Sequence, residues 1–266
     1  MLIATWNVNS VNARLGHLLR WLQARQPDVV CLQETKTVDD AFPRAAIEEA
    51  GYHVAVHGQK SYNGVAILAK APIEDVQRGM GDQVLDVQAR LLAGTVSGVR
   101  ILSAYVPNGA SLKDEKCLYK VAWLSGLRAH LDERYSPDDP LVVAGDFNVA
   151  PRDVDIAEPQ KWHKTVLAHP SMREAFARVT DFDLVDVYAA HHPQGGNYSW
   201  WDYRTASYER GVGGLRIDGI LATAKVSGRA ISAHIDHQER AKERPSDHVP
   251  VLMRLVAEPT RETSDR

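Results

Sequence analysis

The chain has 266 residues, 44% of them hydrophobic and 24% charged, with a formal net charge of −3 at pH 7. That is enough apolar material for a sizeable core, and the slight negative charge excludes a globally basic nucleic-acid binder, so a polyanion has to be met by a local patch or a metal ion. Two cysteines, Cys31 and Cys117, give no disulfide framework and fit a reducing, cytoplasmic setting, while the start lacks the regions of a secretory signal and no apolar run reaches membrane-spanning length.

Short apolar, β-rich runs alternate with helical stretches. LIATWNV (2–8) reads as a strand; Val11, Leu15, Leu18, Leu19 and Leu22 then recur at helical spacing, with Ser10 placed to cap the helix. DVVCLQET (28–35) is almost continuously apolar, the pattern of a strand buried on both faces. YHVAVHG (52–58) and GVAILAK (64–70) read as strands around a polar loop, and residues 86–96 and VRILSAYV (99–106) continue the sheet. Residues 112–135 predict a long amphipathic helix with Leu118, Val121, Leu124 and Leu127 on one stripe. LVVAGDFN (141–148) is a strand ending in polar residues, and the polar stretch 151–181 holds a helix around 171–179. YSWW (198–201), LRIDGILAT (215–223), residues 226–235 and VPVLMRL (249–255) read as the later strands, and the charged residues 257–266 as a disordered tail. No linker or repeat divides the chain, so residues 1–256 read as a single α/β domain. Its strands are too many for one small sheet, which predicts two packed sheets flanked by helices.

Polar residues collect inside these runs or at their ends: Asn7 and Asn9, Gln33 and Glu34, Tyr105 and Asn108, Asp146 and Asn148, Asp218, then Asp247 and His248. Converging strand ends are where ligand sites form. Asp146 and Asn148, two apart, share one face of an extended segment. The acid can take a proton from water and the amide can hold that water; the same pair also suits a turn at a strand end. Glu34 ends an apolar run, which suits either Mg²⁺ or an ion pair with Lys36 or Arg14. Asp218 is flanked by apolar residues and needs a partner, either His248 or Arg216. Trp200 and Trp201 point to opposite faces if extended, so one can enter the core while the other stacks on a base or sugar. His191 and His192 lie in a loop before Pro193, but HExxH and paired CxxC patterns are absent, as are GxSxG and GxxxxGK[ST]. Zinc peptidases, serine hydrolases of that type and P-loop nucleotidases are thereby disfavoured.

TWNVNS, QETK, GYHVAVHGQKSYNGVAIL, AYVPNG, GDFNVAP, YSWWDYR, GLRID and SDHVP occur in this order over roughly residues 1–255. Together they resemble the exonuclease III family of abasic-site endonucleases, within the exonuclease–endonuclease–phosphatase group that includes deoxyribonuclease I. The resemblance implies a four-layer α/β sandwich of two mixed β-sheets flanked by helices, and dependence on Mg²⁺ or Mn²⁺. It implies hydrolysis of the DNA backbone on the 5′ side of abasic sites, with 3′–5′ exonuclease and 3′-end trimming. Carried over by position, Glu34 is the principal metal ligand with Asn9 and Asp247 nearby, and Asn7 orients neighbouring carboxylates. Tyr105 contacts phosphate, Asp146 activates the nucleophile with Asn148 beside it, and Asp218, rather than the adjacent Asp247, orients His248. Asn108, Trp200, Leu215 and Ile217 match the pocket for a flipped-out abasic sugar. The implied partner is double-stranded DNA with abasic sites or blocked 3′ ends, met by a monomer with no membrane association. Three features depart from the family. Ala110, Ser111 and Leu112 follow PNG with no arginine to insert into the duplex; residues 151–220 hold eight basic and ten acidic side chains; and residues 158–169 match no family position. The competing readings are a phosphoesterase of the same fold acting on a lipid headgroup, against which SWWDYR argues, and a non-catalytic DNA-binding module.

Overall fold

In a computed structural model, which describes residues 1–205 and 207–256, the apolar runs pair into two six-stranded sheets. The strands are β1 (Leu2–Asn7), β2 (Val29–Gln33), β3 (His53–His57), β4 (Val65–Ala69), β5 (Glu74–Arg78), β6 (Leu91–Val96), β7 (Val99–Tyr105), β8 (Leu141–Asp146), β9 (Val185–Asp186), β10 (Asp218–Ala222), β11 (Ala230–Ile235) and β12 (Val251–Leu255). The first sheet runs β11-β12-β1-β2-β4-β3 and the second β5-β6-β7-β8-β10-β9. Both are mixed: β1 with β2 and β7 with β8 are parallel, and the remaining pairs are antiparallel. The helices are α1 (Leu15–Arg25), α2 (Arg44–Glu49), α3 (Glu115–Arg134), α4 (Pro159–Trp162), α5 (Pro170–Thr180), α6 (Val187–His191) and α7 (Ala224–Ser227).

Alternation along the strands builds the four layers. Ile3, Val29 and Ile67 of the first sheet face Leu92, Ile101, Val142 and Ile220 of the second. Their sequence neighbours point outward: Ala4, Val30 and Leu68 pack under α1 and α2 with Trp21 and Leu22, while Leu102 and Val143 pack under α3 and α5 with Trp123, Leu124 and Phe176. The expected sandwich of two mixed sheets flanked by helices is thus the fold observed. No helix among the described residues is long and apolar enough to cross a membrane. The tail expected to be disordered, 257–266, lies outside the described residues.

Several local expectations change. Leu118 is 73% exposed; α3 instead buries Cys117, Lys120, Trp123, Leu124, Leu127, His130 and Leu131, a stripe that includes a lysine and a histidine. The first helix begins at Leu15 after a turn, and the Ser10 hydroxyl accepts from Ala13 N at 3.4 Å, so it caps that turn. The edge strand β5 is exposed throughout and polar except for Val76, so it carries no apolar alternation to read. Residues 198–201 form no strand; Trp200 makes single bridges to Leu215 and His248.

Candidate active site

The strand ends of both sheets meet at one cleft of about 250 Å³, lined by Glu34, Tyr105, Asn108, Asp146, Asn148, Leu167, Trp200, Ile217, Asp247 and His248. Register explains the convergence. Asn7 pairs with Gln33 on the first sheet, so Glu34 follows directly. On the second sheet Asp146 pairs with Tyr105 on one side and Asp218 on the other. A Cβ at Gly145 would lie 1.8 Å from the Ala104 carbonyl oxygen, so only glycine lets β8 approach β7 here. The segment carrying His248 is tied to β1: Trp6 Nε1 donates to the His248 carbonyl at 3.1 Å and the Ser246 hydroxyl to the Asn7 carbonyl at 2.7 Å.

Asn7 joins the two sheets chemically. Its Nδ2 donates to Glu34 Oε1 at 2.9 Å and to Asp146 Oδ2 at 3.0 Å. The Tyr105 hydroxyl donates to the same Glu34 oxygen at 2.8 Å. Burial, helped by the nearby Glu34 and Asp146 charges, raises the Tyr105 pKa well above its usual value, so it stays a neutral donor. Asn148 Nδ2 donates to Asp146 Oδ2 at 3.2 Å and to the Val106 carbonyl at 2.9 Å, and its Oδ1 accepts from Asn108 at 2.9 Å. Asn9, Glu34 and Asn148 all take left-handed backbone conformations, with φ of 46°, 51° and 50°. Such a conformation is costly for glutamate and is a recurrent mark of functional sites.

His248 meets the distant acid and not its neighbour. Its Nδ1 lies 2.8 Å and 3.1 Å from the two oxygens of Asp218, and the Ser199 hydroxyl donates to Asp218 Oδ2 at 2.6 Å. Its Nε2 lies 3.8 Å from Asp146 Oδ2. Burial alone would lower the His248 pKa, but Asp218 and Asp146 outweigh it and raise it to about 10. Burial raises Asp146 to about 7, with His248 opposing and Asp218 adding. The pair is therefore a cation beside a carboxylate able to exchange a proton near neutral pH. The other expected partner of Asp218, Arg216, instead bonds Asp155 and Asp186.

The oxygen donors fit a hard divalent cation. Lys36 Nζ sits 2.7 Å from Glu34 Oε2 and 2.5 Å from Asn9 Oδ1, so an ammonium occupies two of the expected ligand oxygens. Asn9 Nδ2 in turn donates to Asp247 Oδ1 at 2.9 Å. Glu34, Asp146 and His248 also offer atoms within 4.8 Å of one another. A cationic His248 is no metal ligand, which leaves the carboxylates and amides. Burial would raise Glu34, but Lys36, Asn7 and His248 together hold it below its usual pKa, so it is ionised.

The wall differs from expectation at one position. Trp200, Ile217 and Asn108 line the cleft, but Leu215 does not. Leu215 exchanges main-chain hydrogen bonds with Trp200, and its fully buried side chain enters the core beneath α3 and α5. Leu167, from the unmatched stretch 158–169, lines the cleft in its stead. Trp162 of the same stretch packs edge-on against Trp200 at 5.8 Å, and Trp200 Nε1 donates to Asp247 Oδ2 at 3.1 Å. Trp201 is buried. Ser199, Ser246 and Leu167 carried no signal in the sequence; Lys36 did, as the alternative partner of Glu34.

Residues 4–248 match the model of the endonuclease/exonuclease/phosphatase family. Exodeoxyribonuclease III of Haemophilus influenzae is 33% identical over 263 residues, covering 94% of this chain and 98% of the relative. The structure of an AP endonuclease from Archaeoglobus fulgidus superposes with a TM-score of 0.94 at 36% identity, covering 97% of this chain and 100% of that one. A 3′ phosphatase from Neisseria, solved with a product DNA hairpin, has a TM-score of 0.92 and 40% identity, again covering 97% and 100%.

Proposed function

Since the chain belongs to the endonuclease/exonuclease/phosphatase family, we propose that it is a DNA-repair phosphodiesterase that cuts the backbone on the 5′ side of abasic sites and trims blocked 3′ ends. The observation that carries this is the Asp146–Asn7–Glu34 bridge facing the Asp218–His248 pair in one cleft. Asp146 takes a proton from the attacking water, which Asn148 holds. The water oxygen bonds to phosphorus as the bond to the 3′ oxygen breaks. His248, as a cation, stabilises the charge that develops on the phosphate oxygens. A divalent cation on Glu34, with Asn9 and Asp247 adjacent, would neutralise charge on the phosphate and the leaving oxygen. We assign that ion as Mg²⁺, with Mn²⁺ as a substitute, because the donors are oxygens alone.

The cleft, at about 250 Å³, is below the roughly 300–1,000 Å³ of pockets that enclose whole small ligands. It suits one sugar-phosphate with the polymer running outside. A base would meet Trp200, Ile217 and Leu167, whereas a baseless sugar enters and costs little to extrude. The absence of an arginine after Gly109 favours 3′ ends as the second substrate, because an end needs no wedge in the duplex. Such a substrate places the protein in the cytoplasm, in keeping with its two free, buried cysteines, and the site is complete within one chain, so we expect a monomer.

The test is a labelled duplex with an abasic analogue, and a second with a 3′-phosphate, each with Mg²⁺ or with EDTA. Wild type should incise the first on the 5′ side and dephosphorylate the second, EDTA should stop both, and Asp146→Asn should slow both about 10²–10⁴-fold. Absence of wild-type cleavage, or equal cleavage by Asp146→Asn, would sink the proposal.

A further inference from the structure

Lys120 lies on the inner face of α3 with no exposed surface. Its Nζ donates to three main-chain carbonyls, those of Asn108 at 3.1 Å, Asn148 at 2.6 Å and Val166 at 2.8 Å. An ammonium carries three N–H donors and no lone pair, so three carbonyls satisfy it completely, whereas a neutral amine would leave one unmet. Burial lowers the Lys120 pKa to about 7, against the pull of Asp146, and the carbonyl triad is the local feature that retains the charge.

The three carbonyls belong to separate segments: the loop after β7, the loop after β8 and the stretch leading into α5. Each segment sends a side chain into the cleft, namely Asn108, Asn148 and Leu167. Gly109 shows how closely the lysine is built in. Its φ is +92°, and a Cβ there would lie 3.1 Å from Lys120 Cδ, so the lysine stem runs along the glycine of PNG. Asn148 is held from both ends, its side chain by Val106, Asp146 and Asn108 and its carbonyl by Lys120.

We propose that Lys120 is a positioning residue, whose ammonium clamps the three loops together and, through the Asn148 carbonyl, fixes the amide that holds the attacking water. The clamp stands on the geometry alone; its effect on turnover rests on the proposed phosphodiester hydrolysis. A displacement of about 1 Å in such a group costs about 100-fold in rate.

Lys120→Met keeps the stem and removes the donors. Two readings separate the clamp from the reaction. In the first, amide hydrogen exchange should accelerate together at residues 106–110, 147–150 and 164–168 while the sheets keep wild-type protection; this needs no substrate. In the second, on the abasic duplex, kcat should fall about 10–100-fold with KM within about threefold, and Lys120→Met combined with Asn148→Ala should be no slower than Asn148→Ala alone. A purely structural lysine would give additive losses and exchange spread over α3. Wild-type exchange in the three segments, or additive losses, would overturn the inference; an inactive wild type would refute the phosphodiesterase reading and leave the exchange result standing. If Lys120→Met does not fold, Lys120→Gln, which retains two donors, is read in the same way, and failure of both to fold shows a folding role in place of positioning and also overturns it.

Discussion

Replacing Asp218 by asparagine tests the pairing on which the proposed chemistry depends. The side chains of Asp218 and His248 are almost fully buried, at 1% and 5% exposure. The His248 pKa rises from 6.5 to about 10, which at about 1.36 kcal/mol for each pH unit favours the cation by about 5 kcal/mol. Asp218 is the largest contributor among the carboxylates that oppose burial. Roughly half of the effect, about 2–3 kcal/mol, should therefore disappear with its charge, which brings the His248 pKa down by about two pH units. The substituted amide would still fill the space and accept one hydrogen bond, so the fold should survive. The assay is kcat/KM on the abasic duplex between pH 6 and 10. In wild type, activity should rise as Asp146 ionises near pH 7 and fall only as His248 deprotonates near pH 10. In Asp218→Asn the alkaline limb should move to lower pH, because burial of His248 is then less opposed. Stability follows the same sign. A raised histidine pKa gives a contribution fully present below pH 6.5 and lost as pH rises through about 10, and Asp218→Asn should flatten that loss in urea titrations. A variant within threefold of wild type with an unmoved alkaline limb would refute the reasoning.

Three further substitutions follow from the same geometry. Asn7→Ala removes the donor shared by Glu34 and Asp146, and kcat should drop about 10–100-fold with the thermal midpoint little changed; a wild-type rate would show that the bridge is idle. Lys36→Met withdraws the ammonium from Glu34 and Asn9, so Mn²⁺ should bind about 3–10-fold more tightly by calorimetry, and weaker binding would contradict the assignment of those oxygens. Arg216→Met removes one of the two arginines on buried Asp155, leaving Arg152 at 2.9 Å, and strips the guanidinium from Asp186. With Arg152 still in place it should cost about 1–3 kcal/mol in urea denaturation, and a loss under about 0.5 kcal/mol would mean that Arg152 alone satisfies Asp155.

The sequence showed most clearly where a rule forced an answer. Asp218 sits among apolar neighbours, so a partner was required, and the structure places His248 there. Trp200 and Trp201 were expected to face opposite ways if extended; the segment forms no strand, yet Trp201 is buried while Trp200 lines the cleft. The runs of both sheets were legible because burial on two faces leaves little room for polar residues. Legibility failed where polarity and burial part company. Lys120 and His130 lie on the buried stripe of α3 although apolar periodicity discounts them, and Leu118, which periodicity favours, is in solvent. The polar edge strand β5 escaped for the converse reason. Leu215 was placed in the pocket by positional carry-over from the family resemblance, but its main-chain bridge to Trp200 turns its side chain into the core. Leu167 comes from a stretch with no periodicity, brought to the cleft by a carbonyl that only the folded Lys120 reveals.

The Asn7 amide has a consequence for the molecule as a machine. It spans the gap between the sheets to Asp146 at 3.0 Å, and Gln33 Nε2, from its register partner on β2, spans it again to the Ser103 hydroxyl at 3.2 Å. Hydrogen bonds of this length tolerate only a few tenths of an ångström. The cleft is therefore a caliper set by the thickness of the inter-sheet layer, in which Ile3, Ile101 and Val142 act as spacers. Enlarging or shrinking a spacer far from the cleft would open or pinch the jaws before it unfolded anything. Turnover would then register the packing of the core more finely than any melting curve.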